Sequence, residues 1–296
     1  MRSQNINNKF ISRSEITKIR AHLKDQALFD FDYTTITDLQ LPWSTFNQAT
    51  TVQLKHQSAS VLRALRNTEQ TFIIEVLDKK PLTSLVILMP EAGSTVNVFI
   101  RGEVSTGHAL YFVGLPAHDA TVGVYGTISC SGQPEMRIQY AHTSSGSAGY
   151  VGLGLDCTPQ ANVSLFARNH HAAKNTTGDI TIKTIGQERS AAEILGWVTV
   201  AAGASNTNSF LHQDTLLLSP DSNIRTIPNL QIAHHDVKAS HGATVGYVDP
   251  AALYYMSSRG ITSDVATQMI ANGFLKSLST TVRNKTIAQL FKEAYV

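Results

Sequence analysis

Between Val52 and Ile232 the chain keeps one rhythm, short runs in which Val, Ile and Leu alternate with Thr, Ser and Asn. The runs fall at Phe72 to Leu77, Ser84 to Met89, Thr95 to Arg101, Ala109 to Gly114, Thr121 to Cys130, Met136 to His142, Tyr150 to Leu155, Asn162 to Arg168, Asp179 to Ile185, Glu193 to Val200 and Thr215 to Leu218. A period of two with β-branched residues predicts strands. Turn phrases with a small residue, Pro90 to Ser94, Pro116 to Ala120, Pro159 to Ala161 and Ala201 to Ala204, precede strands at separations near multiples of about 20 residues. No Asn-Gly or Asp-Gly pair marks a tight primed hairpin in this region. The pattern predicts the stacked coils of a parallel β-helix rather than a sandwich, with GYVGLGL from Gly149 to Leu155 explained by close coil packing. The ends of such a stack must be capped or paired with another chain.

The flanks read as helical. Ser12 and Glu15 have capping-box spacing, and Ile16, Ile19 and Leu23 share a face of a helix reaching about Gln26, followed by an irregular connection. Beyond the strands, Asp249 is an N-cap with Pro250 at N1, Leu253, Tyr254 and Met256 follow, and Gly260 takes the C′ place. Thr262 or Ser263 starts a second helix with Val265, Ala266, Met269, Ile270, Gly273, Phe274 and Leu278 on one apolar face. A third, from about Asn284, aligns Ile287, Leu290, Phe291 and Ala294. The division is therefore 1–51, a helix and connecting segment; 52–248, the β core; and 249–296, a helical subdomain.

Composition narrows the function classes. A formal net charge of +2, with Lys and Arg scattered, predicts no phosphate-tracking surface and so no nucleic-acid partner. No window approaches the roughly 18 apolar residues of a membrane span. MRSQNINNKF lacks the apolar centre of a secretory signal, so the expected location is cytoplasmic. There is no Gly-x-Ser-x-Gly elbow, Walker A loop or Gly-x-Gly-x-x-Gly fingerprint. Cys130 and Cys157 form no Cys-x-x-Cys pair and read as buried thiols.

Histidines carry the chemical signal. His234, His235, Asp236 and His241 lie in one strand-like segment, where His235, Val237, Ala239 and His241 would share a face and His241 would be semi-buried among small neighbours. His235 and Asp236 are further ligand candidates in the same segment. His170 and His171 read as a turn-like, solvent-facing pair with no role.

The run from Pro228 to Gly260, PNLQIAHHDVKASHGATVGYVDPAALYYMSSRG, resembles the C-terminal signature of the SufB/SufD family of iron–sulfur cluster assembly scaffolds, SufD above all. Asp236, Val237 and Lys238, Ser240 to Gly246, and Ser258 to Gly260 fit that signature, while Ala239 stands in place of the usual cysteine. The resemblance implies a mainly β fold, a right-handed parallel β-helix core with a short N-terminal helical segment and a C-terminal helical subdomain. It also implies a non-enzymatic scaffold that pairs with a SufB-like paralogue or itself. The helical subdomain would dock a SufC-like ABC ATPase, with Leu253, Tyr254, Arg259, Met269 and Phe274 as candidate contacts. His241 would be one ligand of a transient Fe–S cluster; a cluster usually needs four ligands, mostly thiolates, so a partner must supply the rest. Two alternatives stand beside this reading: a reduced family member that assembles as a homo-oligomer without a cluster role, and a carbohydrate-active β-helix, for which Glu135, Asp156 and Asp179 show no grouping motif.

Overall fold

The computed structural model describes residues 38–40, 50–54, 56–77 and 80–294. The expected helix around Ser12 to Gln26 lies outside them. The strands are β1 (Asp38–Gln40), β2 (Thr50–Val52), β3 (Ser58–Leu62), β4 (Glu69–Val76), β5 (Leu82–Leu88), β6 (Thr95–Val104), β7 (His108–Gly114), β8 (Thr121–Cys130), β9 (Glu135–His142), β10 (Ala148–Cys157), β11 (Asn162–His171), β12 (Thr177–Gly186), β13 (Ala191–Val200), β14 (Thr207–Leu217), β15 (Asn223–Ile232) and β16 (Val237–Tyr247). Odd strands form one eight-stranded sheet and even strands another, each in sequence order. Every pairing is parallel, so the chain is the expected parallel β-helix, each coil laying one strand on each sheet.

Register makes the interior a set of rows. Phe72, Val98, Val124, Val151, Ile180 and Leu211 stand side by side on successive coils of the even-strand sheet. All are at most 3 % exposed. Each such side chain contributes about 1.5–3 kcal/mol through burial, and the rows merge into one continuous core.

The turns set the coil length, which corrects the expected period. Glu69 pairs with Thr95, 26 residues on, and Thr177 with Asn208, 31 residues on, so the repeat lengthens along the chain instead of keeping to about 20. One edge of every coil from β4 to β14 turns through a left-handed residue: Asn67, Gly93, Asp119, Gly146, Asn175 and Asn206. Gly93, at φ +70°, is glycine for two reasons, its backbone and a neighbour: an added Cβ would come within 2.4 Å of the Asn67 Oδ1 below it. The next residue is often a hydroxyl that donates to the carbonyl three residues back, as Ser94 does to Glu91 (2.6 Å), Ser147 to Ser144 (2.7 Å) and Thr207 to Ala204 (2.9 Å). Asn206 Nδ2 donates to Asn175 Oδ1 at 2.9 Å, so the turns also ladder between coils.

Two strands run longer than their apolar patterns suggest, β14 at its start and β11 at its end. The expected run Thr215 to Leu218 is the end of β14, whose inward residues Thr207, Ser209 and Gln213 are polar. His170 and His171 are not in a turn; they end β11, with His171 fully buried.

Four helices follow: α1 (Pro250–Ser258), α2 (Ser263–Lys276), α3 (Leu278–Thr281) and α4 (Lys285–Glu293). Asp249 caps α1, accepting from the Ala251 N–H at 2.9 Å, and Gly260 past its end has φ +83°. Asn284 caps α4 through the Ile287 N–H at 2.9 Å. α2, α3 and α4 fold back along the outer face of the even-strand sheet, against β12, β10 and β8. Phe291 meets Phe99 edge-on at 5.1 Å in a cluster with Leu278 and Ile287. The buried side of α2 is Ala266, Ala271 and Leu275; Val265 and Met269, expected on the packed face, are each 52 % exposed. The packed stripe is shifted because Ala271 and Leu275 meet Ile185 of the sheet.

Candidate functional site

The last coil leaves the core open. β15 and β16 end their sheets, and the residues that continue the interior rows have no following coil among the described residues. His241 pairs with Leu211 and so terminates the row that runs through Phe72, Val151 and Ile180. Ala239 and Ala243 flank it on the same face, opposite the fully buried Ser209 and Gln213. Ile232, Val245 and Tyr247 are 41 %, 52 % and 60 % exposed around the same mouth. The local sequence SHGATVG permits this, since small residues on either side of the imidazole leave it standing clear of its neighbours.

His241 is exposed, not semi-buried. The shared face with His235 is also corrected: His234, His235 and Asp236 form a bend before β16 starts at Val237. The bend is held by the Asp236 N–H donating to His234 Nδ1 at 3.0 Å, with the rings of His234 and His235 stacked at 5.0 Å. Among the described residues no three His, Cys, Asp or Glu side chains group as a metal site requires. His235, Asp236 and His241 are therefore not one site within this chain, and the mouth offers a cluster one imidazole.

The thiols lie elsewhere. Cys130 and Cys157 are free, fully buried neighbours in register across β8 and β10. Their hydrogen bond, with burial, pushes the Cys130 thiol well above the ordinary cysteine range. A protonated, sealed thiol is a poor ligand or nucleophile.

Sequence reading missed a buried polar column on the odd-strand sheet. His142 and His171, in register, stack at 4.6 Å and 8°. His142 contacts Ser147 Oγ at 3.2 Å and Asn169 Oδ1 at 3.5 Å; His171 contacts Thr176 Oγ1 at 2.9 Å, and its Nε2 has no partner. Burial lowers both imidazoles, His142 to about 4, so both are neutral near pH 7. The 29-residue offset between them matches the coil spacing and was the available signal.

The expected helix contacts divide. On α1 no residue is buried: Leu253 is half-buried, Tyr254 is 79 % exposed, and Arg259 lies over the Tyr255 ring at 5.3 Å. Met269 is exposed, whereas Phe274 packs under Lys183 Nζ at 4.4 Å. Lys183 in turn reaches Asp214 at 3.5 Å, and Asp214 accepts from Thr244 of β16 at 2.5 Å, so α2 is tied to the last coil.

Comparison with known proteins falls on this half of the molecule. The family description "SUF system FeS cluster assembly, SufBD core domain" matches residues 146–274, a stretch holding β10 to β16, the mouth with His241, α1 and most of α2. The iron–sulfur cluster assembly protein SufD of Escherichia coli is 36 % identical over 107 residues, 36 % of this chain and 25 % of that protein. SufB of Bacillus subtilis is 33 % identical over 110 residues, 37 % of this chain and 24 % of that protein. A SufBD family iron–sulfur cluster assembly protein of Mycobacterium tuberculosis is 34 % identical over 113 residues, 38 % of this chain and 13 % of that protein. The match thus spans a quarter or less of each relative. Residues 146–274, with the β-helix coils and the histidine-bearing mouth found there, are thus similar to the SufBD core of iron–sulfur cluster assembly proteins.

Proposed function

We propose that the chain is a non-enzymatic, SufD-like scaffold subunit that works in the cytoplasm and pairs through its open coil end with a second SufB- or SufD-type chain. The observation that carries this is the termination of buried apolar rows in an exposed mouth, Ile232, Val245 and Tyr247 around His241. Unpaired strand edges and an uncovered core end are what a partner coil would satisfy. The Fe–S cluster is cargo: His241 offers one imidazole and the thiolates come from the partner, which favours a cysteine-bearing SufB-like paralogue over a second copy of this chain. In a homodimer the two mouths would bring imidazoles alone, and Ala239 supports that reading as a reduced relative without a cluster role.

A SufC-like ATPase would dock on α1, where Leu253, Tyr254 and Arg259 are available beside Met269 of α2. Phe274 would act by holding α2 to the sheet, given its contact with Lys183. The test is anaerobic affinity purification from the host with the full chain, with Val245→Lys/Tyr247→Glu and with Tyr254→Ala/Arg259→Ala, retained proteins being identified by mass spectrometry. The proposal expects the mouth variant to lose a SufB-like protein and the α1 variant to lose the ATPase. Recovery of the chain alone in every case contradicts it.

A further inference from the structure

A second site lies away from the mouth. The outer face of the even-strand sheet and the start of α4 border a cleft of about 1010 Å³, which shares Tyr125, Tyr150 and Arg283 with an adjoining cavity of about 220 Å³. Its walls are polar. Glu69, Asn97 and Tyr125 come from β4, β6 and β8; Arg283 and Lys285 come from the entry to α4.

Tyr125 is the unusual member. It is 6 % exposed and lines both cavities, and no side-chain or backbone group among the described residues hydrogen-bonds its hydroxyl, which opens to the cleft. A tyrosine buried to this degree ordinarily gives its hydroxyl a partner, here left for a solute in the cleft to supply. Its ring is accommodated by glycines: a Cβ at Gly123 would come within 2.4 Å of Cε2, and one at Gly152 within 2.9 Å of Cδ1. Burial pushes its pKa well above that of an ordinary phenol, so the hydroxyl stays protonated and can donate.

The other donors converge from α4. Asn284 takes the Ile287 N–H, which leaves the first-turn N–H groups of Lys285 and Thr286 without intrahelical acceptors at the positive end of the helix. Both residues line the cleft. Arg283 is exposed, with its guanidinium over the Tyr150 ring at 5.6 Å. Glu69 accepts from Asn97 at 3.2 Å and from Asn284, so its carboxylate is already engaged. Two cations against one engaged carboxylate leave the larger cleft net positive; Asp179 lines the smaller cavity, which Arg283 also borders, and its carboxylate accepts from the Phe210 N–H at 3.3 Å.

We propose that this cleft binds a small solute through an oxyanion, phosphate or carboxylate, held by Arg283, the first-turn N–H groups of α4 and the Tyr125 hydroxyl. The groups that would hold the anion, Tyr125, Arg283, Lys285 and Thr286, lie outside the stretch that matches the SufBD core, and the proposal stands independently of the scaffold reading.

Calorimetric titration of the full chain with inorganic phosphate, and separately with acetate, at fixed ionic strength tests it. One of the two should saturate a single site, and which one does identifies the oxyanion class. Arg283→Gln should weaken that binding at least about tenfold, the loss of a charge-assisted contact. Tyr125→Phe should weaken it by about threefold to tenfold while the thermal midpoint without ligand stays within about 2 °C, since no existing hydrogen bond is removed. Absence of saturation with both anions, or saturation unchanged in Arg283→Gln and Tyr125→Phe, overturns the proposal.

Discussion

The middle coils and the last coil share one ladder and differ in what lies beyond them. Val151 and His241 occupy the same interior row, yet Val151 is 3 % exposed and His241 stands in solvent. Gly126 and Gly246 make the same contrast in the backbone. A Cβ on Gly126 would fall 2.2 Å from the Ile100 carbonyl, whereas nothing lies within 4 Å of one on Gly246. In a solenoid each coil is packed by its neighbours on both sides, so the final coil escapes half of that constraint. The positions freed from packing are those where Ala239, His241 and Ala243 replace an apolar row, and that is where chemistry with another chain can be placed.

The contrast can be broken most severely by charge. Val151→Asp buries an unpaired carboxylate and should cost more than about 4 kcal/mol, enough to prevent folding, while His241→Asp in the same row should change stability by less than about 0.5 kcal/mol. Urea unfolding of the two variants checks this, and equal losses would mean that the mouth is closed in solution. Acid reads the interior next. His142 is held near 4 against 6.5 in an unfolded chain, so the unfolded state takes up its proton first as pH falls. Stability is full above pH 6.5 and declines by roughly 3 kcal/mol from this residue alone between pH 6.5 and 4. His142→Gln should flatten that decline in pH-dependent melts. The smallest effect is steric: Gly126→Ala should cost about 2 kcal/mol and Gly246→Ala less than about 0.5 kcal/mol, compared by thermal unfolding.

Much of the fold was legible because alternation survives burial on one face. Runs such as Thr121 to Cys130 matched their strands end to end. The coil length was harder to read, since the repeating element is a left-handed turn residue that is Asn, Gly or Asp in turn, on a spacing that drifts from 26 to 31. β14 was cut short because its inward Thr207, Ser209 and Gln213 resemble loop composition. His241 was found by motif, but its exposure depends on the missing next coil, which no local pattern encodes. The juxtaposition of Cys130 with Cys157, and of Tyr125 with Arg283, arises only once coils stack and α4 folds back.

The proposed pairing face is the uncovered end of the β-helix. Hydrogen–deuterium exchange of the full chain, alone and in the anaerobically purified complex with a SufB-like partner, measures it directly. The account predicts rapid exchange over Asn223–Ile232 and Val237–Tyr247 in the free chain and strong protection of both strands in the complex, with the coils from β6 to β12 unchanged. Protection confined to other coils, with β15 and β16 exchanging as fast in the complex as in the free chain, would contradict it.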